Sequence, residues 1–236
     1  MKTFWDELKV ERKVFDQRTI FAIFKLMNKK VLKSVESLVK EGKESLVCFA
    51  KDWEGNPIAL KIYRTLHCDF KRMWKYLISD PRFERIKKDR FAIVFTWAKR
   101  EYKNLKKAYE KNVNCPKPFF VYENILGMEF IGKGDEPAPL LLNVELKNPK
   151  KTYEEVVENL KKLTQAKLVH SDLSPYNILY FEEKPVFIDF SQAVNNLHPL
   201  AKEFLERDCK NINDFFRKLN VEVDEELAKK LWEVLE

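Results

Sequence analysis

The residues best suited to chemistry lie close together in the chain. His170-Ser171-Asp172-Leu173-Ser174-Pro175-Tyr176-Asn177 is followed, twelve residues beyond Asn177, by Asp189 at the end of the apolar run Val186-Phe187-Ile188. A carboxylate, a side-chain amide and a second carboxylate at this spacing suit phosphoryl transfer. Asp172 would orient an incoming nucleophile and accept its proton. Asn177 and Asp189 offer the hard oxygen ligands that Mg²⁺ takes, with Mn²⁺ as a substitute, and the cation would neutralise charge on phosphate oxygens. His170 reads as a packed brace for the loop and not as a base. The plain alternative is an Asp/Asn-rich turn between two strands, and it must explain why three polar residues coincide with those strands.

HxDxxxxN with a downstream strand ending in Asp is the arrangement of kinase catalytic and metal-binding loops. That chemistry makes demands upstream. It needs a Lys on a strand to neutralise the α and β phosphates of ATP, and Ala59-Leu60-Lys61-Ile62-Tyr63 places Lys61 inside an apolar run. Such a Lys is tolerated only when paired. Glu101, on the following long helix, is the expected partner, with Glu84 as the competitor. The phosphate-covering loop departs from the G-x-G-x-x-G form: only Gly42 is present, in Glu41-Gly42-Lys43-Glu44-Ser45. Main-chain amides near Gly42, the Lys43 ammonium and the Ser45 hydroxyl would hold phosphate there. Downstream, Ser191-Gln192 stands where a Gly is usual, and the short distance from Asp189 to a helix near His198–Arg207 leaves no room for an activation loop.

The elements that must position these residues follow from periodicity. Arg18–Lys30 has helical apolar spacing. Three antiparallel strands are predicted across 34–63, with turns at 40–45 and 53–57. Asp69–Ile78 and Arg90–Lys111 read as helices, the second with Phe91, Phe95, Ala98, Tyr102 and Leu105 on one stripe. Two more strands follow at 119–122 and 124–130. Gly132–Pro139, with two Gly and two Pro, is the best linker. A helix at Tyr153–Gln165, strands at 178–181 and 186–188, and further helices complete the chain. The predicted class is α+β, a trimmed two-lobe protein-kinase-like fold. Residues 1–33 form an N-terminal helical extension, 34–131 an N-lobe of antiparallel sheet plus long helix, and 132–236 a mostly helical C-lobe.

Bulk properties narrow the classes. With 236 residues, 45% hydrophobic and 18 Phe, the chain has ample material for a core. No apolar run reaches the roughly 20 residues of a membrane span, and Met1–Asp6 lacks a secretion pattern. A cytoplasmic protein without membrane association is expected. The four Cys form no CxxC pair, which argues against zinc. The net charge of +7 is uneven: residues 82–107 carry ten Lys or Arg against three acids. That stretch is either a nucleic-acid-facing surface or a solvated helix face.

Several segments together resemble the RIO family of atypical serine/threonine kinases, most closely its first branch in a minimal form. They are Gly42-Lys43-Glu44-Ser45, Leu60-Lys61-Ile62-Tyr63-Arg64, Met128-Glu129-Phe130-Ile131-Gly132, the His170–Tyr180 run and Ile188-Asp189-Phe190-Ser191-Gln192-Ala193. Phe204–Cys209 and Phe15–Thr19 are similar too. The resemblance spans about 15–219. It implies a kinase fold without the usual activation loop or peptide-binding helices, and a role in maturation of the small ribosomal subunit, with the pre-ribosomal particle and its rRNA as partners. It also implies that Met128, Glu129 and Ile131 line the adenine site and that Asp189 is both metal ligand and phosphoacceptor. The family often has Ser-Thr before the loop Gly; Lys40-Glu41 stands here, and an acid at that place is expected to repel triphosphate.

The leading reading is an ATP- and Mg²⁺-dependent serine/threonine kinase or ATPase acting in ribosome assembly. One alternative is a non-catalytic binding factor that uses nucleotide as a switch. Another is a small-molecule kinase of the aminoglycoside or choline type, which demands a long insertion where only 47 residues follow Asp189.

Overall fold

The computed structural model describes residues 15–66, 68–79 and 87–235. Helix α1 (Gln17–Asn28) starts at Asp16, whose Oδ1 accepts the Thr19 N–H at 2.8 Å. That bond satisfies one of the amide donors a helix start leaves unpaired. Three antiparallel strands follow, β1 (Leu32–Glu41), β2 (Ser45–Asp52) and β3 (Pro57–Tyr63), with turns where the polar clusters predicted them. After helices α2 (Phe70–Ile78) and α3 (Arg90–Glu110), strands β4 (Pro118–Tyr122) and β5 (Ile125–Glu129) complete a five-stranded sheet ordered β1-β2-β3-β5-β4.

Strand alternation gives this sheet two faces. Leu46, Cys48 and Ala50 lie opposite Ile62, Leu60 and Ile58, and this set packs with Ala22, Ile23 and Leu26 of α1. The intervening residues Val47, Phe49, Ala59, Lys61 and Tyr63 belong to the other face. Tyr63 there joins Met73 and Leu77 of α2 and Val94, Trp97 and Ala98 of α3. Lys61 is therefore set on the side of the sheet away from α1.

Two compact units are present. One holds the described residues up to Tyr102 together with Pro118–Pro137; the other holds Lys103–Lys117 and the chain from Ala138 onward. Gly132–Pro139, expected as a linker, holds the boundary between the units after Pro137 and also a small hairpin, β6 (Gly132–Lys133) with β7 (Glu136–Pro137). A Cβ on Gly132 would sit 2.2 Å from the Glu136 carbonyl oxygen, so only glycine allows the two backbones to approach this closely.

The second unit is built on α4 (Pro149–Gln165), with Asn148 as N-cap and Pro149 in the first turn. Strand β8 (Leu168–Val169) pairs with β11 (Val194–Asn195), and β9 (Ile178–Phe181) with β10 (Lys184–Phe187). Helices α5 (Ala201–Lys218) and α6 (Leu227–Leu235) complete it. Val156, Leu160 and Leu163 of α4, Leu205, Ile212 and Phe216 of α5, and Leu227 and Leu231 of α6 are buried.

Helix α3 differs from its predicted stripe. It buries Val94, Trp97, Ala98, Glu101, Asn104, Leu105 and Ala108, while Phe91, Phe95 and Tyr102 are only half-buried. The Arg18 guanidinium lies 4.7 and 4.6 Å from the ring centres of Phe91 and Phe95, so these two rings also cover a charge, Phe95 while packing against the core. The basic stretch around α3 is likewise not simply solvated. Arg100 is fully buried against Trp97 and Tyr76, and Lys88 lies over Trp74. Residues 82–86 of that stretch lie outside the described residues. All four cysteines are buried and none forms a disulfide. Among the described residues no helix is long and apolar enough to cross a membrane.

Asp16 does more than cap α1. Its Oδ2 also accepts the Thr65 hydroxyl at 2.6 Å, tying the helix to the chain just beyond β3. Replacing Asp16 by Ala removes these bonds and a third from the Thr19 hydroxyl at 3.1 Å, and should cost about 1–3 kcal/mol. Urea unfolding of the variant checks this; an unchanged midpoint would show that the anchor carries no stability.

Candidate active site

The residues singled out in the sequence fall into two sets, one in each unit. In the first, Lys61 and Glu101 are 5% and 2% exposed, and Nζ donates to Oε1 at 2.8 Å. Glu101 Oε2 accepts the hydroxyl of Tyr63. The Lys61 ammonium lies 5.3 Å from the centre of the Tyr63 ring. Removing one partner from a buried pair leaves an uncompensated charge, at a cost of about 3–5 kcal/mol. Glu84, the competing candidate, lies outside the described residues. Tyr63 was not singled out in the sequence as part of this cluster, although its i+2 spacing from Lys61 puts both on one strand face.

Around Lys61 the same face carries a continuous apolar strip. Val47 and Leu126 lie opposite Lys61, and Phe49 and Met128 lie opposite Ala59. The ring of Phe130 meets Phe49 edge-on at 4.8 Å. Met128 and Ile131 are half-buried and Glu129 is exposed. This strip is a flat apolar surface ending in a cation, which fits a planar base joined to phosphates.

The β1–β2 turn holds Gly42, Lys43 and Ser45. The Gly42 N–H donates to the Ser45 carbonyl at 2.9 Å, and a Cβ on Gly42 would lie 3.1 Å from that oxygen. Lys43 is exposed and Ser45 half-buried. Glu41 does not stand as a bare acid. Arg64, at the end of β3, pairs with its carboxylate and also donates from Nε to the Gly42 carbonyl at 3.2 Å. The Arg64 N–H reaches the Glu44 carbonyl at 2.9 Å. One arginine thus neutralises the acid expected to repel triphosphate and braces the turn from below.

In the second unit the loop from His170 to Asn177 follows β8 directly. The His170 ring packs 5.0 Å from Phe190, and its Nε2 is 3.0 Å from the Ile188 carbonyl. Asn177 Nδ2 donates to the Asp172 carbonyl at 2.8 Å, and lies 3.3 Å from Asp172 Oδ2. The Ile188 N–H closes on the Asn177 carbonyl at 3.0 Å, which brings the strand bearing Asp189 beside the loop. Asp189 has φ of 63° and caps a 3₁₀ turn (Phe190–Gln192), with Oδ1 accepting the Ser191 hydroxyl at 2.6 Å.

Ser171 is also left-handed, at φ 68°. A non-glycine residue held there costs of order 1–3 kcal/mol and persists only where its surroundings over-determine it. Asp208 of α5 does so. Its Oδ2 accepts the Ser171 N–H at 2.7 Å and its Oδ1 the Leu173 N–H at 2.8 Å, on either side of Asp172. Arg207 donates to the Ser171 carbonyl, and Asn211 to that of Leu173 at 3.0 Å. Asp208 went unrecognised in the sequence as a loop anchor, because nothing local distinguishes it from a surface acid on a helix.

A profile of the RIO domain matches residues 46–228. The chain belongs to the RIO family of atypical serine/threonine kinases. It is 41% identical over 219 residues to the RIO-type serine/threonine-protein kinase Rio1 of Haloferax volcanii, spanning 93% of this chain and 76% of that protein. With Rio1 of Methanocaldococcus jannaschii the identity is 42% over 222 residues, again spanning 76% of the relative. Human RIO1 is 39% identical, and this chain spans 39% of its length. Among solved structures, the Rio2 kinase–ADP/Mg²⁺–phosphoaspartate complex of Chaetomium thermophilum superposes with a TM-score of 0.70 at 23% identity, covering 91% of this chain and 65% of that one. That likeness establishes the α+β kinase-like fold.

The RIO chain shows why no activation loop follows Asp189. After the 3₁₀ turn, Val194 pairs at once with Val169 of β8, and α5 begins at Ala201. The turn itself is pinned by Asn104, whose Nδ2 donates to the Phe190 and Ala193 carbonyls at 3.0 and 2.8 Å.

Burial pushes the Asp208 carboxyl up to about 7, against the pull of the Leu173 and Ser171 N–H groups and of Arg207. Its unfolded value is near 3.9, so between about pH 4 and pH 7 the native chain binds more protons than the unfolded one. The Asp208 contribution to stability is therefore full below that window and falls as pH rises to about 7. In Asp208→Asn, urea unfolding from pH 4 to 8 should lose this slope, and turnover should fall because an amide N–H would face one of the two loop N–H groups. Parallel pH–stability curves for the two proteins would reject it. Arg64→Ala should raise KM for ATP more than it lowers kcat, by exposing the Glu41 charge; an unchanged KM would show that Glu41 does not face phosphate.

Proposed function

We propose that this RIO kinase transfers the γ-phosphoryl group of ATP, as its Mg²⁺ complex, to serine or threonine hydroxyls, with Asp172 as the catalytic carboxylate. The observation that carries the assignment is the Asn177 amide fastened to the Asp172 carbonyl at 2.8 Å. With its nitrogen so engaged, the Asn177 Oδ1 is the atom turned over to a cation, and Asp189 supplies a carboxylate twelve residues on. This donor set fits Mg²⁺. The ion is held through one or two carboxylates plus substrate phosphates and water, not by an all-protein cage. When bound, Mg²⁺ would neutralise charge on the β and γ phosphates; Mn²⁺ is the expected substitute.

The remaining roles belong to side chains. Lys61, oriented by Glu101 and Tyr63, would neutralise the α and β phosphates. The adenine would rest on the Ala59 and Met128 strip beside Glu129 and Ile131. Amides and side chains of Gly42, Lys43 and Ser45 would hold the outer phosphates. Asp172 would align the substrate hydroxyl and take its proton as the oxygen attacks the γ phosphorus and the bond to the β,γ-bridging oxygen breaks, releasing ADP.

Asp189 is also proposed as a phosphoacceptor, supported by the phosphoaspartate of the Rio2 complex. Its carboxylate oxygen would attack the γ phosphorus with loss of ADP. Water would then attack the phosphorus, releasing phosphate and restoring the carboxylate. The place of action proposed is the maturing small ribosomal subunit in the cytoplasm, supported by the family resemblance and the net charge of +7. The 34–131 and 132–236 segments would be the N- and C-lobes, with 1–33 as an extension.

Asp172→Ala should lower Mg²⁺-dependent ATP turnover and autophosphorylation by about 10²–10⁴-fold, and EDTA should abolish both. Equal rates for variant and wild type would overturn the assignment. Tight ATP binding without any turnover would instead favour a nucleotide-switched binding factor, and turnover stimulated by amino-alcohol acceptors a small-molecule kinase.

A further inference from the structure

Gln192 lies three residues after Asp189, at the end of the 3₁₀ turn, and its side chain reaches back to the catalytic loop. Its Nε2 donates to Asp172 Oδ2 at 3.0 Å. The same oxygen lies 3.3 Å from Asn177 Nδ2. Two amide nitrogens, one from the loop and one from the turn after Asp189, therefore hold one oxygen of the carboxylate assigned to catalysis.

The backbone makes this reach a fixed one. In a 3₁₀ turn, side chains three apart eclipse, so Gln192 projects on the side of Asp189, the N-cap of the turn. The turn cannot easily shift. Asn104, fully buried, grips the carbonyls at Phe190 and Ala193. Phe190 is buried under His170, two residues before Asp172. The Ser191 hydroxyl meanwhile holds Asp189 Oδ1 at 2.6 Å. Successive residues of one short turn thus hold the two carboxylates of the site, Ser191 the metal-binding one and Gln192 the catalytic one.

We infer that Gln192 is a positioning residue for phosphoryl transfer: its side-chain amide sets the orientation of the Asp172 carboxylate. The 3₁₀ turn carries it as a bracket in a chain that has no activation loop to order this region. A carboxylate rotates about its last bond with little resistance, and pinning one oxygen determines where the other points. That alignment acts on the nucleophile and not on nucleotide binding, so its loss should appear in kcat.

The inference rests on Asp172 being the catalytic carboxylate, and the test separates the two. Four full-length variants are compared with wild type for ATP turnover, KM for ATP, affinity for Mg²⁺ with a non-hydrolysable ATP analogue, and thermal unfolding. Gln192→Glu keeps the length of the side chain but turns an acceptor and a like charge toward Asp172. Gln192→Lys keeps a donor. Asp172→Asn and the Asp172→Asn/Gln192→Glu double variant complete the cycle. The expected result is a kcat loss of about ten-fold or more in Gln192→Glu, since misplacing a catalytic group by an ångström can cost 10²-fold. Gln192→Lys should retain more activity than Gln192→Glu, KM and analogue affinity should stay within about two-fold of wild type, and the Gln192 change should have no further effect once Asp172 is Asn. Wild-type kcat in Gln192→Glu with an inactive Asp172→Asn overturns the Gln192 role alone. An equal further loss in the double variant also overturns it, because Gln192 would then act through general stability. Wild-type kcat in Asp172→Asn overturns the catalytic assignment itself. If Gln192→Glu does not fold, a Gln192→Lys protein that folds but is no more active than Asp172→Asn overturns the inference, and retained activity supports it.

Discussion

A carboxylate with no solvent exposure at Asp208 holds the catalytic loop of the second unit in place, and most of that unit's active geometry follows from it. Two main-chain N–H groups, at Ser171 and Leu173, must find acceptors because the loop is buried around them. No neighbouring strand can supply both, since the chain between them turns through a left-handed residue. One side chain from α5 satisfies the pair and in doing so straddles Asp172. The cost is a carboxyl group taken out of water, and the opposing pulls of burial and hydrogen bonding place its titration near neutrality. The carboxylate proposed for the chemistry is thus displayed by an acid from a different element, α5.

The first unit solves a similar problem with an ion pair. Lys61 sits within a strand whose other residues are apolar, and its charge is tolerable only because Glu101 and Tyr63 meet it on the buried face of α3 and the sheet. Helix α3 gives up part of its apolar face for this. Glu101 and Asn104, three apart, are both buried; one serves the Lys61 pair and the other pins the 3₁₀ turn after Asp189. Hydrophobic spacing alone misassigns such a helix, because three of its buried positions, Arg100, Glu101 and Asn104, are polar.

The departures of this RIO kinase from common kinase patterns have physical replacements. A loop with one glycine is shaped by Arg64, which also cancels the acid at Glu41. A missing activation loop is replaced by a three-residue turn clamped by Asn104 and followed at once by strand pairing. Longer flexible segments require phosphorylation or partners to order them; these short ones are ordered by bonds within their own unit.

Element types and most of their bounds were legible in the sequence, because periodicity and turn residues report local constraints. Spacing also singled out Lys61, Asp172, Asn177 and Asp189, whose residue types suit phosphate and metal chemistry, and the family followed from those motifs together. The structure alone revealed the supporting set: Asp208, Asn104, Gln192, Tyr63 and Arg64. Each acts on a group between twenty and eighty-nine residues away through a hydrogen bond or ion pair. The hairpin inside Gly132–Pro139 was not legible, because it depends on a missing Cβ that permits backbone contact. Sequence spacing determined which groups are present to react; tertiary folding decided which way they point, because orientation depends on partners brought together only when distant segments pack.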